Sequence, residues 1–162
     1  MNGSIVCGVD GSPDSHRALG VAAQFARRLD AKLIVANVVA YVPDPVVPTN
    51  AYAPMARWAG YGPPMTERRT DADMEASEAL LEHMVAEAAV DGAEVRTMLG
   101  IPAERLAELA DDEGAELIVV GSRGRGSLKA AFLGSVSNSL IGIARCPVLV
   151  VPRGAAETAA GA

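Results

Sequence analysis

The chain has 162 residues, 50% of them apolar, enough for one domain to bury a core without disulfide or metal staples. Fourteen basic residues against twenty acidic ones leave a net charge of −6, which argues against general nucleic-acid binding, since that requires a basic face. No apolar run approaches the roughly 20 residues that span a bilayer, and no segment has the length and basic flank of a signal peptide. The expectation is a cytoplasmic protein with no membrane partner.

In chain order, Ile5-Val6-Cys7-Gly8-Val9 is a continuous apolar run, the pattern of a strand buried on both faces. Asp10-Gly11-Ser12-Pro13-Asp14 breaks it, with Ser12 as an N-cap and Pro13 at the first helical position. The helix that follows carries Ala18, Ala22, Phe25 and Leu29 on one stripe, and Lys32 to Val39 reads as a second strand. Six prolines then punctuate the stretch from Tyr41 to Pro64, around Tyr52, Trp58 and Tyr61. Residues 41–70 are expected to be a long irregular connection inside the domain, either a flap or interaction loop or a mobile segment with no specific role.

Asp71 to Val90 reads as a helix with Ser77, Leu81, Met84 and Ala88 on one face. Ala93 to Leu99 is a third strand with partial alternation, placing it near an edge. Ile101-Pro102 opens a helix with Leu106, Leu109 and Ala110 facing in, and Glu116 to Val120 is the fourth strand. Ser135 to Ala144 is the last helix and Pro147 to Val151 the last strand. The order β-α-β-α-β-α-β-α-β predicts a five-stranded parallel sheet in a doubly wound three-layer sandwich. For the common strand order 3-2-1-4-5 the ligand crevice lies between the first and fourth strands, beyond their carboxyl ends. Residues 1–153 form one domain in this reading, and 154–162 a flexible tail.

The motif that carries chemistry emerges at that crevice. Val120-Gly121-Ser122-Arg123-Gly124 followed by Gly134-Ser135-Val136-Ser137 reads as G-x2-G-x9-G-S, opening after a strand and closing where a helix begins. Such a layout builds a nest of backbone N–H groups suited to phosphate. Gly121 and Gly124 let the backbone approach without a Cβ, Ser135 and Ser137 add hydroxyl donors, and Arg123, Arg125 and Lys129 put positive charge into an acidic chain. Neither a dinucleotide fingerprint nor a P-loop is present. Asp10, ending the first strand with Gly8 and Val9, can accept from ribose hydroxyls or an adenine amino group. Asn37 and Val38 form a wall for a base, Val38 offering backbone N–H and C=O to adenine. His16 and His83 read as surface histidines, and Cys7 and Cys146 as buried free thiols; no catalytic constellation or metal-ligand spacing is evident.

With these residues read, the chain resembles the nucleotide-binding branch of the universal stress protein family. The resemblance rests on Ile5 to Ser12, Gly100-Ile101-Pro102, Leu117 to Gly124, Gly134 to Ser137, and Cys146 to Pro152. It implies a fold like that of the adenine nucleotide α-hydrolases, ATP (or ADP or AMP) at the switch point, Mg2+ held through the phosphates, and a homodimer. Carried over, Asp10 contacts ribose or base, Val38 the adenine, and Gly121, Arg123, Gly124, Gly134, Ser135, Val136 and Ser137 surround ribose and phosphates. An apolar edge strand at Val148 to Val151 supplies a physical reason for dimerisation through the C-terminal strand. The expected function is a nucleotide-dependent regulator in stress response, acting on an unidentified protein partner. A slow ATPase or adenylate-transferring enzyme and a structural module without nucleotide are the alternatives.

Overall fold

A computed structural model of the chain describes residues 3–40, 65–124 and 133–153. Its elements are β1 (Ser4–Gly8), α1 (Pro13–Leu29), β2 (Lys32–Ala40), α2 (Met65–Glu87), β3 (Glu94–Gly100), α3 (Pro102–Asp112), β4 (Ala115–Gly121), α4 (Ser135–Ile143) and β5 (Val148–Val151). All pairings are parallel and the sheet order is β3-β2-β1-β4-β5. The predicted topology is the one observed.

Strand periodicity divides the core in two. Ile5, Cys7, Leu33, Val35 and Val119 face α1 and α2, where Ala18, Leu19, Ala22, Leu81 and Met84 meet them. Val6, Ile34, Ala36, Ile118 and Val120 face α3 and α4, against Ala103, Leu106, Ala110 and Leu140. Successive side chains of a strand point to opposite faces, so continuous apolar runs such as that of β1 are what a sheet covered on both sides requires.

Some helix faces differ from expectation. The buried stripe of α1 runs through Ser15, Leu19, Ala22 and Ala26. Phe25 falls on its border and Leu29 in its last turn, and they are 38% and 53% exposed. The alanines let α1 lie close on the sheet, which leaves bulky side chains at the margin. In α2 the face of Ser77, Leu81 and Met84 is buried, whereas Ala88 lies past the end of the helix and is exposed. α2 begins at Met65 rather than Asp71, so the irregular connection cannot extend to residue 70: Glu67, Arg68 and Arg69 are good helix formers. Residues 41–64, which hold the prolines and aromatic side chains, lie outside the described residues, as do 125–132 and the tail from 154.

At the amino ends of the strands the surface is charged. Lys32 Nζ lies 2.7 Å from Glu94 and 3.1 Å from Glu113, and Arg96 pairs with the same two carboxylates. The hydrogen bond between Lys32 and Glu94 raises the lysine pKa and lowers that of the glutamate. Ser4 Oγ donates to the Glu113 carbonyl at 2.8 Å, tying the same corner to β1.

Candidate functional site

The carboxyl ends of the strands present a different surface. After β1 the chain passes to α1 on one face, and after β4 to α4 on the other, so the two connections part and leave a crevice between them. A cleft of about 760 Å³ occupies it. Its lining contains twelve residues picked from the sequence: Gly8, Val9, Asp10, Val38, Val120, Gly121, Arg123, Gly124, Gly134, Ser135, Val136 and Ser137. Ser15, Ala36, Asn37, Ala40, Pro102, Leu106 and Leu133 complete it. Of these, Asn37 was read from the sequence together with Val38 as part of the wall for a base. The others are apolar or small, and only packing brings them to the cleft.

One wall is the end of β2. The register of β1 with β2 ends at Gly8 opposite Ala36, and Val9 N–H donates to the Ala36 carbonyl at 2.8 Å. Backbone groups on a strand alternate sides, so the N–H and C=O of Val38 point the same way as those of Ala36. By then β1 has turned off at Asp10, and these groups face the cleft. A paired donor and acceptor on one residue matches the edge of a nucleobase.

The floor is the turn after β1. Gly11 takes φ 80°, a left-handed conformation that suits glycine. Asp10 Oδ1 accepts from Ser12 N–H at 2.9 Å, and Ser12 Oγ accepts from Ser15 N–H at 3.2 Å as the cap of α1. Asp10 therefore holds this turn as well as lining the cleft. Its second oxygen, Oδ2, looks across the cleft: a Cβ added to Gly124 would sit 2.6 Å from it.

The opposite wall is the glycine loop and the start of α4. Gly134 N–H donates to the Ser122 carbonyl at 2.8 Å, and a Cβ on Gly134 would lie 3.3 Å from Arg123 Cα and 3.5 Å from Gly124 N. The two halves of the motif thus touch. α1 is capped by Ser12, but α4 begins at Gly134 with no side-chain cap, so its first-turn N–H groups and positive dipole end are directed at the cleft. This is the cradle an anionic group would fill.

Two expected roles change. Gly121 was assigned to phosphate approach, yet a Cβ there would meet the Asp14 backbone at 2.8 and 2.9 Å, so its glycine is demanded by the packing of α1 on β4. Ser137 was expected to donate to ligand, but it is buried and its Oγ donates to the Gly121 carbonyl at 2.7 Å. Its single proton is committed to holding α4 against β4, so the hydroxyl faces ligand only as an acceptor. Sequence reasoning also missed Asp14. This buried carboxylate accepts from Ser122 Oγ at 3.0 Å and Arg17 Nη1 at 2.9 Å, anchoring the glycine loop to α1. An acidic residue in a first helical turn reads from sequence as a dipole partner, and nothing in it signals this contact.

His16 and His83 lie on α1 and α2 around Glu87, their Nε2 atoms 3.6 and 3.7 Å from its carboxylate, away from the cleft. Burial pushes the Cys7 thiol up to about 12, which keeps it protonated and inert. Cys146 is only partly buried, contrary to expectation, because it lies in the turn before β5. Among the described residues no three His, Cys, Asp or Glu side chains group to hold a metal ion, and no helix is long and apolar enough to cross a membrane. Arg125 and Lys129 lie outside the described residues.

A doubly wound parallel sheet with a cleft at its switch point defines a class of α/β protein whose ligands bind beyond the carboxyl ends of the strands. The universal stress protein family profile matches residues 1–152. A universal stress protein of Thermus aquaticus is 32% identical over 148 residues, covering 91% of this chain and 97% of the relative. The solved structure of a universal stress protein in complex with cAMP is 30% identical, with a TM-score of 0.58 over 93% of this chain and 97% of that one. The fold is also that of UspA from Lactobacillus plantarum, at 22% identity and a TM-score of 0.66 over 93% and 98% of the two chains. The chain belongs to the universal stress protein family.

Proposed function

We propose that this protein binds an adenine nucleotide, ATP with Mg2+ on its phosphates, and acts as a nucleotide-dependent regulator in stress response. The observation that carries the reading is the convergence of all twelve residues on one cleft, between the uncapped start of α4 and the open backbone edge of Val38. The relative solved with cAMP holds an adenine nucleotide of the same class. In this arrangement Val38 reads the base, and Asp10 Oδ2 takes a ribose hydroxyl. Gly124, Gly134, Ser135 and Val136 surround phosphate, with Arg123 beside them. Mg2+ would be held by phosphate oxygens and water, with Asp10 the nearest carboxylate on the cleft floor. Among the described residues no histidine lines the phosphate cradle as a general base, so tight binding with little turnover is expected.

The active form in this reading is a homodimer joined at β5, an edge strand of the sheet. Ile141 and Ile143 on α4 are exposed apolar side chains of the kind an interface covers. Ile118 and Ser122 N–H groups donate to the carbonyls of Pro147 and Val151. By alternation Val148 and Val150 direct their backbone groups outward, available to a second copy.

Calorimetric titration of ATP with Mg2+ into protein freed of co-purified ligand tests the reading. A one-site isotherm of micromolar affinity or tighter is expected; a flat trace from folded protein overturns it. Sedimentation tests the dimer, which Val150→Pro should convert to folded monomer, because it removes an outward N–H and no bond to β4.

A further inference from the structure

Asn37 sits in β2 one residue before the proposed base-reading Val38, on the opposite face of the sheet. Its Nδ2 donates to the Val9 carbonyl at 2.5 Å. That carbonyl lies where β1 leaves β2, one step beyond the last backbone pairing at Gly8. A side chain there bridges the two strands at the point where the ladder gives out. Ser77 Oγ, from α2, donates to Asn37 Oδ1 at 2.7 Å and lies 3.2 Å from Thr97 Oγ1 of β3. With the serine proton given to Asn37, Thr97 is the donor of the last bond. The chain therefore has one direction: Thr97 to Ser77 to Asn37 to the Val9 carbonyl. Reversing the amide would set its oxygen against the Val9 oxygen, which can only accept, so the Val9 carbonyl fixes its orientation and turns Oδ1 to the Ser77 hydroxyl.

Ser77 is buried and lies outside the cleft, in a helix whose face is otherwise apolar. A hydroxyl on such a face is retained for a hydrogen bond, because burying one without a partner is costly. The bond it makes acts on the cleft through Asn37 alone. Asn37 in turn sets the separation between Val9-Asp10 and Val38, the two sides that a base and its ribose must bridge.

We infer that Asn37 and Ser77 are positioning residues for nucleotide recognition: oriented by Ser77, Asn37 clamps the diverging ends of β1 and β2 and fixes the width of the base subsite. The inference rests on the proposed nucleotide function. It assigns to α2 a part in recognition that its place behind the sheet would not suggest. Because the clamp acts on the base side, it leaves the phosphate cradle on the far wall untouched.

The test uses the full chain with two probes, ATP and inorganic tripolyphosphate, each titrated with Mg2+ by calorimetry. In the unmutated protein ATP must bind; failure there overturns the nucleotide reading itself. Given that binding, Asn37→Ala and Ser77→Ala should each weaken ATP about tenfold, the scale of one buried hydrogen bond, and leave tripolyphosphate unchanged. Ser77→Thr, which keeps the hydroxyl, should restore the affinity. The double variant should lose no more than Asn37→Ala alone, since both act through one clamp. ATP affinity unchanged in Ser77→Ala overturns the inference. So does an equal loss for ATP and tripolyphosphate, the outcome of general loosening. Ser77→Ala removes one atom outside the cleft, so it supplies the decision even where Asn37→Ala lowers stability enough to obscure its titration.

Discussion

The two ends of this sheet are made from the same five strands and are finished in opposite ways. At the amino ends Lys32, Arg96, Glu94 and Glu113 pair with one another across β2, β3 and the end of α3, and the charges are satisfied within the protein. At the carboxyl ends the cleft is lined by glycines, hydroxyls and open backbone, with Asp10 and Arg123 as the charged side chains among the described residues. The difference is one of where hydrogen-bonding capacity is spent. The amino end uses it on its own side chains, which closes the fold; the carboxyl end spends its side-chain bonds on holding the loops and leaves backbone groups, those of Val38 and the first turn of α4, toward the crevice.

The largest expected effects separate two glycines of one motif. Gly121→Val drives a side chain into the backbone of α1, and should destabilise the fold by about 2–3 kcal/mol, the cost of overpacking a tight contact. Its denaturant midpoint should fall well below that of the unmutated protein; an unchanged midpoint would mean that α1 does not press on β4 as described. Among the described residues, a Cβ at Gly124 meets the tip of the Asp10 side chain and no backbone. Gly124→Val should keep the fold and lose ATP binding, and retained affinity in calorimetry would show that the phosphates lie elsewhere.

Next in size is Asp10, which has both a turn role and a proposed ligand role. Asp10→Ala should weaken ATP by roughly 1–3 kcal/mol, the range for a hydrogen bond to a charged group. Asp10→Asn keeps an oxygen for Ser12 N–H, so it should preserve stability in thermal melts and lose only the ligand share of that affinity. Equal binding by both variants and the unmutated protein would reduce Asp10 to a turn residue. Ser12→Ala removes the cap of α1 and should cost about 1 kcal/mol of stability, read from urea unfolding.

The smallest effects belong to the amino end. Glu94, with its pKa lowered by Lys32, adds stability that is present above the ordinary glutamate range and lost as pH falls through the lowered value. Lys32, with its pKa raised by Glu94, adds stability that is present below its ordinary value of 10.5 and lost as pH rises through the raised one. Lys32→Met should flatten both limbs of the stability–pH curve without changing ATP affinity, because screening at this exposed corner keeps each pair weak. A shift in ATP affinity would break the separation of the two ends. Cys7 supplies a marker of the core between them: with its thiol pushed up to about 12, it should resist iodoacetamide at pH 8 until the protein unfolds, whereas Cys146 reacts in the native state. Mass spectrometry of the labelled peptides distinguishes the two.

Strand order, the two-sided burial of β1, the cap at Ser12 and thirteen of the nineteen residues that line the cleft were legible in the sequence. Each depends on local rules: apolar periodicity, the turn after a strand, and glycine at a strand-to-helix junction. The right-handed crossover then leaves few arrangements for five alternating units. What the tertiary structure alone decided are the contacts between segments distant along the chain. Gly121 is a glycine because Asp14 lies against it, Ser137 gives its proton to β4, and Ser77 reaches Asn37 from behind the sheet. Periodicity reports which face of an element is buried, but not which atom of a remote element will stand opposite. A glycine that serves packing and a glycine that serves a ligand are therefore alike in sequence, and only the three-dimensional neighbours tell them apart.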